Sequence, residues 1–96
     1  MENVIAKFIN HAKMSAKTPF FPPNIAILVI NECKERGIPI YGIDAAKITD
    51  TYTQPFMEHS IDYSEMENVW DDAIQFIKSK KHLEMYFEIV VPIGQG

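Results

Sequence analysis

The sequence predicts an α+β fold: a small, mainly antiparallel sheet with helices packed on one face, in the order α-α-β-β-α-β. Three observations predict it. Apolar residues recur at three- and four-residue spacing over residues 2–14, 24–36 and 64–78, the pattern of amphipathic helices. Residues 83–91 alternate instead, with Leu83, Met85, Phe87, Ile89 and Val91 on one face, the pattern of a half-buried strand. Proline and glycine punctuate the boundaries at Pro19, Pro22, Pro23, Gly37 and Pro92. A chain of 96 residues has room for a single domain and a single core, so residues 1–96 are read as one unit.

Each element has its own reason. Val4, Ile5, Phe8, Ile9 and Ala12 make the stripe of an N-terminal helix over residues 2–14, with Lys7, Asn10, His11 and Lys13 off it. Residues 15–23 form a connector, because each proline disfavours helix at the residue before it. Phe20 and Phe21 in this connector are expected to plug the edge of the core. Pro23 suits a first helical turn, and a helix follows over residues 24–36 with Ile25, Ala26, Val29, Ile30 and Cys33 inward. Lys34 and Arg36 complement the negative end of its dipole, and Gly37 terminates it in the left-handed conformation.

Residues 38–44 read as a strand. Pro39 places it at a sheet edge or marks its start, and Gly42 suggests a bulge or the close approach of another backbone. Residues 45–55 lack a period and read as a loop; residues 56–63 alternate weakly and read as a second strand. Ser64 and Glu67 make a capping box for the third helix, whose stripe is Met66, Val69, Trp70, Ala73, Ile74 and Ile77. Residues 92–96 are a loose tail.

The total charge of −4 hides an asymmetry. Between Asp44 and Asp72 lie eight carboxylates and one cation, Lys47, and the remainder of the chain is net positive. Tyr52, Phe56, Tyr63 and Trp70 are interleaved with these acids. This balance opposes direct binding to nucleic acid or to an anionic membrane. The longest apolar run, residues 25–30, is too short to span a bilayer, and residues 1–15 lack the pattern of a signal peptide, so a cytoplasmic location is expected.

The inventory for catalysis is thin. His11, His59 and His82 are scattered, Cys33 stands alone in a helical apolar pattern, and no phosphate-cradling glycine loop or calcium loop is present. No enzyme activity, catalytic residue, metal or cofactor is expected. A small hydrolase would need a pocket holding a carboxylate of raised pKa. Glu65 and Glu67 are explained by the helix start. Asp44, Asp50, Glu58 and Asp62 fall on strand ends and loops, where nothing in the backbone requires an acid. Carboxylates among exposed tyrosines imitate the phosphates and bases of a nucleic acid. The fitting partner is a basic protein that handles one, met quickly through long-range attraction.

Pro23-Asn24-Ile25-Ala26-Ile27, then Asn31-Glu32, Gly37 and Ile40-Tyr41-Gly42-Ile43-Asp44 resemble the immunity proteins of the tRNA-cutting colicins. The paired acids Asp71-Asp72 and the terminal apolar strand at residues 87–91 are similar in layout. The chain departs from that pattern in its extra N-terminal helix, and in Ala45-Ala46-Lys47-Ile48 where the colicin proteins carry an aromatic- and glycine-containing segment. The resemblance implies a non-enzymatic inhibitor that covers a nuclease active site, in a colicin or a contact-dependent growth inhibition system. Its partner would be a cognate basic toxin domain. Asp44, Asp50, Glu58 and Asp62 would then pair with toxin lysines or arginines, and Tyr52, Tyr63 and Tyr41 would fill positions that bases occupy. A reading of a different class is an adaptor that binds a non-nuclease partner through its helical face, anchored by Phe20, Phe21 and Phe76.

Overall fold

The second helix, α2 (Pro23–Arg36), forms as its residues dictate. Pro23 occupies the first turn, where its missing N–H costs nothing, and the Pro22 carbonyl accepts from Ala26 N–H at 2.8 Å. Ala26, Val29, Ile30 and Cys33 are buried on one face. Gly37 turns left-handed at φ 69°, and the Ile38 N–H reaches back to the Cys33 carbonyl at 2.8 Å, closing the end. The computed structural model describes residues 3–63 and 66–92.

The fold is α+β, as expected. In chain order the elements are α1 (Val4–Lys7), β1 (Lys13–Ser15), β2 (Thr18–Phe20), α2, β3 (Gly42–Ile48), β4 (Thr53–Pro55), β5 (Ile61–Asp62), α3 (Trp70–Lys80) and β6 (Tyr86–Val90). Single 3-10 turns lie at Ile9–His11, Met57–His59 and Lys81–Leu83. Strands β1 and β2 form a separate hairpin; β3 is the centre of an antiparallel four-stranded sheet. One edge of β3 pairs with β6 over Gly42–Ala46, the other with β4 at one end and β5 at the other. Phe21 continues the sheet beyond β6 by exchanging hydrogen bonds with Phe87 at 2.7 and 2.8 Å.

Helices α2 and α3 pack together over one face of this sheet, and α2 lies on β6. The core joins Ala26, Val29, Ile30 and Cys33 of α2 and Ala73 and Ile77 of α3 to Ile43, Ala45, Phe87 and Ile89 of the sheet. Trp70 ties α3 to the chain leaving α2 by donating from Nε1 to the Ile38 carbonyl at 2.8 Å. Its Asp71–Lys34 contact at 2.9 Å is solvent-exposed and adds little.

Several expectations need correction. The N-terminal helix is only one turn long, capped by the Asn3 side chain at 2.9 Å from Ile5 N–H; the chain then enters the hairpin β1–β2, where a connector was expected. Strand β3 begins after Pro39 and is central, not an edge; Ala45–Ile48, read as a loop, is its second half because pairing on both edges overrides weak propensity. The strand expected at residues 56–63 is interrupted by the Met57–His59 turn. Helix α3 starts at Trp70, after Asn68 at φ 55°, with Met66 exposed; the Ser64 and Glu65 part of the expected cap lies outside the described residues. The final strand is shorter than expected, beginning at Tyr86 after Glu84 turns left-handed. Phe20 and Phe21 are buried, which removes two anchors from the adaptor reading.

Candidate functional site

Side chains alternate across a strand, so the residues between the buried ones in β3 and β6 face away from the helices. Gly42, Asp44 and Ala46 occupy this outer face, directly opposite Val90, Glu88 and Tyr86. On the other edge of β3, Gly42 also faces Asp62. The acids Asp44, Glu88 and Asp62 thus share one sheet face, two strands bringing their residues to either side of β3.

Local chemistry shapes this face into a groove. The segment linking β4 to β5 leaves the sheet at Phe56, whose N–H still bonds the Ala45 carbonyl at 2.9 Å. The Ala45 N–H then bonds the Ser60 hydroxyl at 2.9 Å in place of a backbone carbonyl, and that hydroxyl donates to the Phe56 carbonyl at 2.9 Å. The residues between loop outward as the 3-10 turn, which places Met57, 79% exposed, as one wall. Tyr41, 43% exposed, and Val90 complete the apolar lining. Gly42 is the floor: a Cβ there would stand 2.9 Å from the Ile61 carbonyl oxygen. The close approach expected at this glycine is what the structure shows, and the missing side chain keeps the hollow open. Its volume is about 520 Å³, with Asp44 and Asp62 on the rim. A smaller hollow of about 240 Å³ continues past Asp44 to Glu88 and Phe20.

The electrostatics follow from this packing. Glu88 is pushed above the usual carboxylate range by desolvation, by the charge of Asp44 opposite, and by a hydrogen bond with Asp44. Like charges directly opposite on paired strands destabilise. The hairpin β1–β2 bounds the far end, with Lys13 Nζ 5.7 Å from the Tyr86 ring centre and the Ser15 and Thr53 hydroxyls 2.5 Å apart. Away from this face, Lys7 and Arg36 hold Glu32 below its ordinary value through hydrogen bonds.

Of the residues singled out by sequence, the groove gathers Asp44, Asp62 and Tyr41. Asp50 and Tyr52 sit on the β3–β4 turn, roughly 20 Å along the strand from Asp44 at about 3.3 Å per residue. The Thr49 hydroxyl braces that turn against Tyr52 N–H at 3.2 Å, and Tyr52 is 58% exposed. Glu58 is exposed on the 3-10 turn but does not line the groove. Tyr63 is 4% exposed: it belongs to the core, its phenol pKa raised by burial and then by Asp72, so it offers no ring to a partner. Glu88 and Met57 were missed. The alternation around Phe87 and Ile89 puts Glu88 on the outer face, but its register with Asp44 is set by the fold.

Among the described residues, no group of three His, Cys, Asp or Glu side chains is placed to hold a metal ion. No helix among the described residues is long and apolar enough to cross a membrane.

These features describe a small α+β domain with an acidic, apolar-lined groove on the uncovered side of its sheet. No known family model matches the chain, and no curated protein matches it.

Proposed function

We propose that this chain is a cytoplasmic immunity protein that binds a basic nuclease toxin domain, a tRNase, and blocks its RNA-binding site. The observation that carries the reading is that Asp44, Asp62 and Glu88 share one sheet face, beside a groove that the exposed Tyr41 and Met57 line. Three carboxylates beside an aromatic ring offer a nuclease what an RNA strand offers it. Asp50, Tyr52 and Glu58 lie at the periphery and act mainly by steering. Losing a central acid costs roughly 2–5 kcal/mol of affinity and speeds dissociation, whereas losing a peripheral one slows association at low salt.

The test is co-expression with a basic tRNase toxin domain, taken from any toxin gene that adjoins the gene of this chain, scoring cell survival, tRNA integrity and salt-dependent co-purification. The variant Asp44→Asn/Asp62→Asn/Glu88→Gln is expected to fold and to lose protection. Full protection by this variant would overturn the reading.

One observation favours a second reading. A carboxylic acid held above its usual pKa beside a carboxylate, as in Glu88 and Asp44, is the equipment of an acid–base hydrolase. Turnover of glycoside, peptide or phosphodiester substrates by the isolated chain, lost in Glu88→Gln, would establish it in place of the first.

A further inference from the structure

We infer that the hollow over Gly42 is the seat of a single arginine side chain of the partner. This rests on the reading of a basic partner and names the residue type and the place.

Three features of the hollow select that occupant. Its walls are largely apolar, from Met57, Tyr41 and Val90, which suits a long aliphatic stem more than a compact, strongly hydrated ammonium. Tyr41 presents a partly exposed ring at the wall, against which a guanidinium plane stacks. Asp62 pairs with Gly42, two residues from Asp44 on the adjacent strand, so the two rim acids are diagonal cross-strand neighbours about 7–8 Å apart, a span that suits a fork of five N–H donors better than a point charge. Asp44 has an acid, Glu88, as its cross-strand neighbour. That like-charge pairing costs stability in the free chain and is relieved when a cation enters beside it. The floor is bare because position 42 carries no side chain, so the stem can lie against the backbone of β3.

The occupant is tested with blocked five-residue peptides, glycine throughout except for a central arginine, lysine or citrulline, titrated into the isotope-labelled chain and followed by NMR. With arginine, the Met57 methyl and the Tyr41 and Asp62 amides shift together and saturate. Lysine binds at least about fivefold more weakly, a difference of about 1 kcal/mol, and citrulline produces no saturating shift. Asp44→Asn and Asp62→Asn each weaken arginine binding about tenfold, and Met57→Ala, which leaves every charge in place, weakens it severalfold. Equal affinity for lysine and arginine, or no shift at Tyr41 and Met57 up to about 10 mM peptide, overturns the inference. The two levels separate cleanly. Arginine binding without protection against a nuclease sinks the immunity reading and leaves the seat. Protection that survives Met57→Ala and Tyr41→Ala, in a chain blind to the arginine peptide, sinks the seat and leaves the immunity reading.

Discussion

Replacing Ala16-Lys17 by Asn-Gly should stabilise the protein. These two residues join β1 to β2 with Ser15 opposite Thr18, a two-residue hairpin loop. Both have positive φ, 48° and 69°, the signature of a type I′ turn. An alanine and a lysine each lose about 1 kcal/mol in that region, so the loop stores about 2 kcal/mol. Asn-Gly releases most of it, offset by about 0.5–1 kcal/mol for the extra freedom of glycine in the unfolded chain. The net gain is about 1–1.5 kcal/mol, read as a higher urea midpoint at unchanged slope and a rise in Tm of about 4–8 °C per kcal/mol. The opposite change, Ala16→Val, puts a β-branched side chain at φ 48° and should cost at least about 1 kcal/mol. If Asn-Gly gave no gain and Ala16→Val no loss, residues 13–20 would not form this hairpin and the reasoning would fail.

Gly42→Ala brings a methyl to 2.9 Å from the Ile61 carbonyl oxygen, a backbone atom, so β5 must shift; a loss of about 1–3 kcal/mol is expected in chemical denaturation. Burial and the neighbouring Asp44 hold the Glu88 carboxyl above its ordinary value of 4.5, so the folded form holds its proton more tightly than the unfolded one. Its contribution is complete below pH 4.5 and is lost as pH rises through the elevated native pKa; the difference in stability between wild type and Glu88→Gln should show that fall, whereas Glu32, lowered by its cations, slopes the other way in both proteins. The Cys33 thiol, pushed up to about 11 by burial, should resist a disulfide reagent at pH 8 until urea unfolds the chain; prompt labelling in buffer would contradict its place in the core.

Some of this structure can be read directly from the residues. The helix Pro23–Arg36 carries its start, its stripe and its stop in local chemistry, and all three are where the sequence puts them within one residue. The alternation around Phe87 and Ile89 likewise fixes which face of β6 is buried. The failures have a common physical source. Val4, Ile5, Phe8 and Ile9 satisfy a helical stripe, but the helix stops at Lys7 because the hairpin that follows packs against the sheet, and no Asn-Gly advertises its turn. Ala45-Ala46-Lys47 has little strand propensity, yet it is held on both edges by β6 and β4. Tyr63 looks like an exposed ring among acids and is placed in the core by the Tyr41 carbonyl, which accepts its N–H at 2.8 Å. The acids were visible as a charge count; which of them meet depends on cross-strand register, and register is a property of the whole sheet.

The broken border formed by β4, the Met57–His59 turn and β5 has a consequence for assembly. A neighbouring polypeptide seeking to extend the sheet there finds Pro55 without a donor, then a turn that swings the backbone out of plane, then a two-residue strand. Such a rim is a poor template for ladder growth, so fibril-like stacking through it is discouraged even at high cellular abundance. A visitor on this side of the molecule meets the flat of the sheet more readily than its border, and docking there becomes a matter of matching side chains.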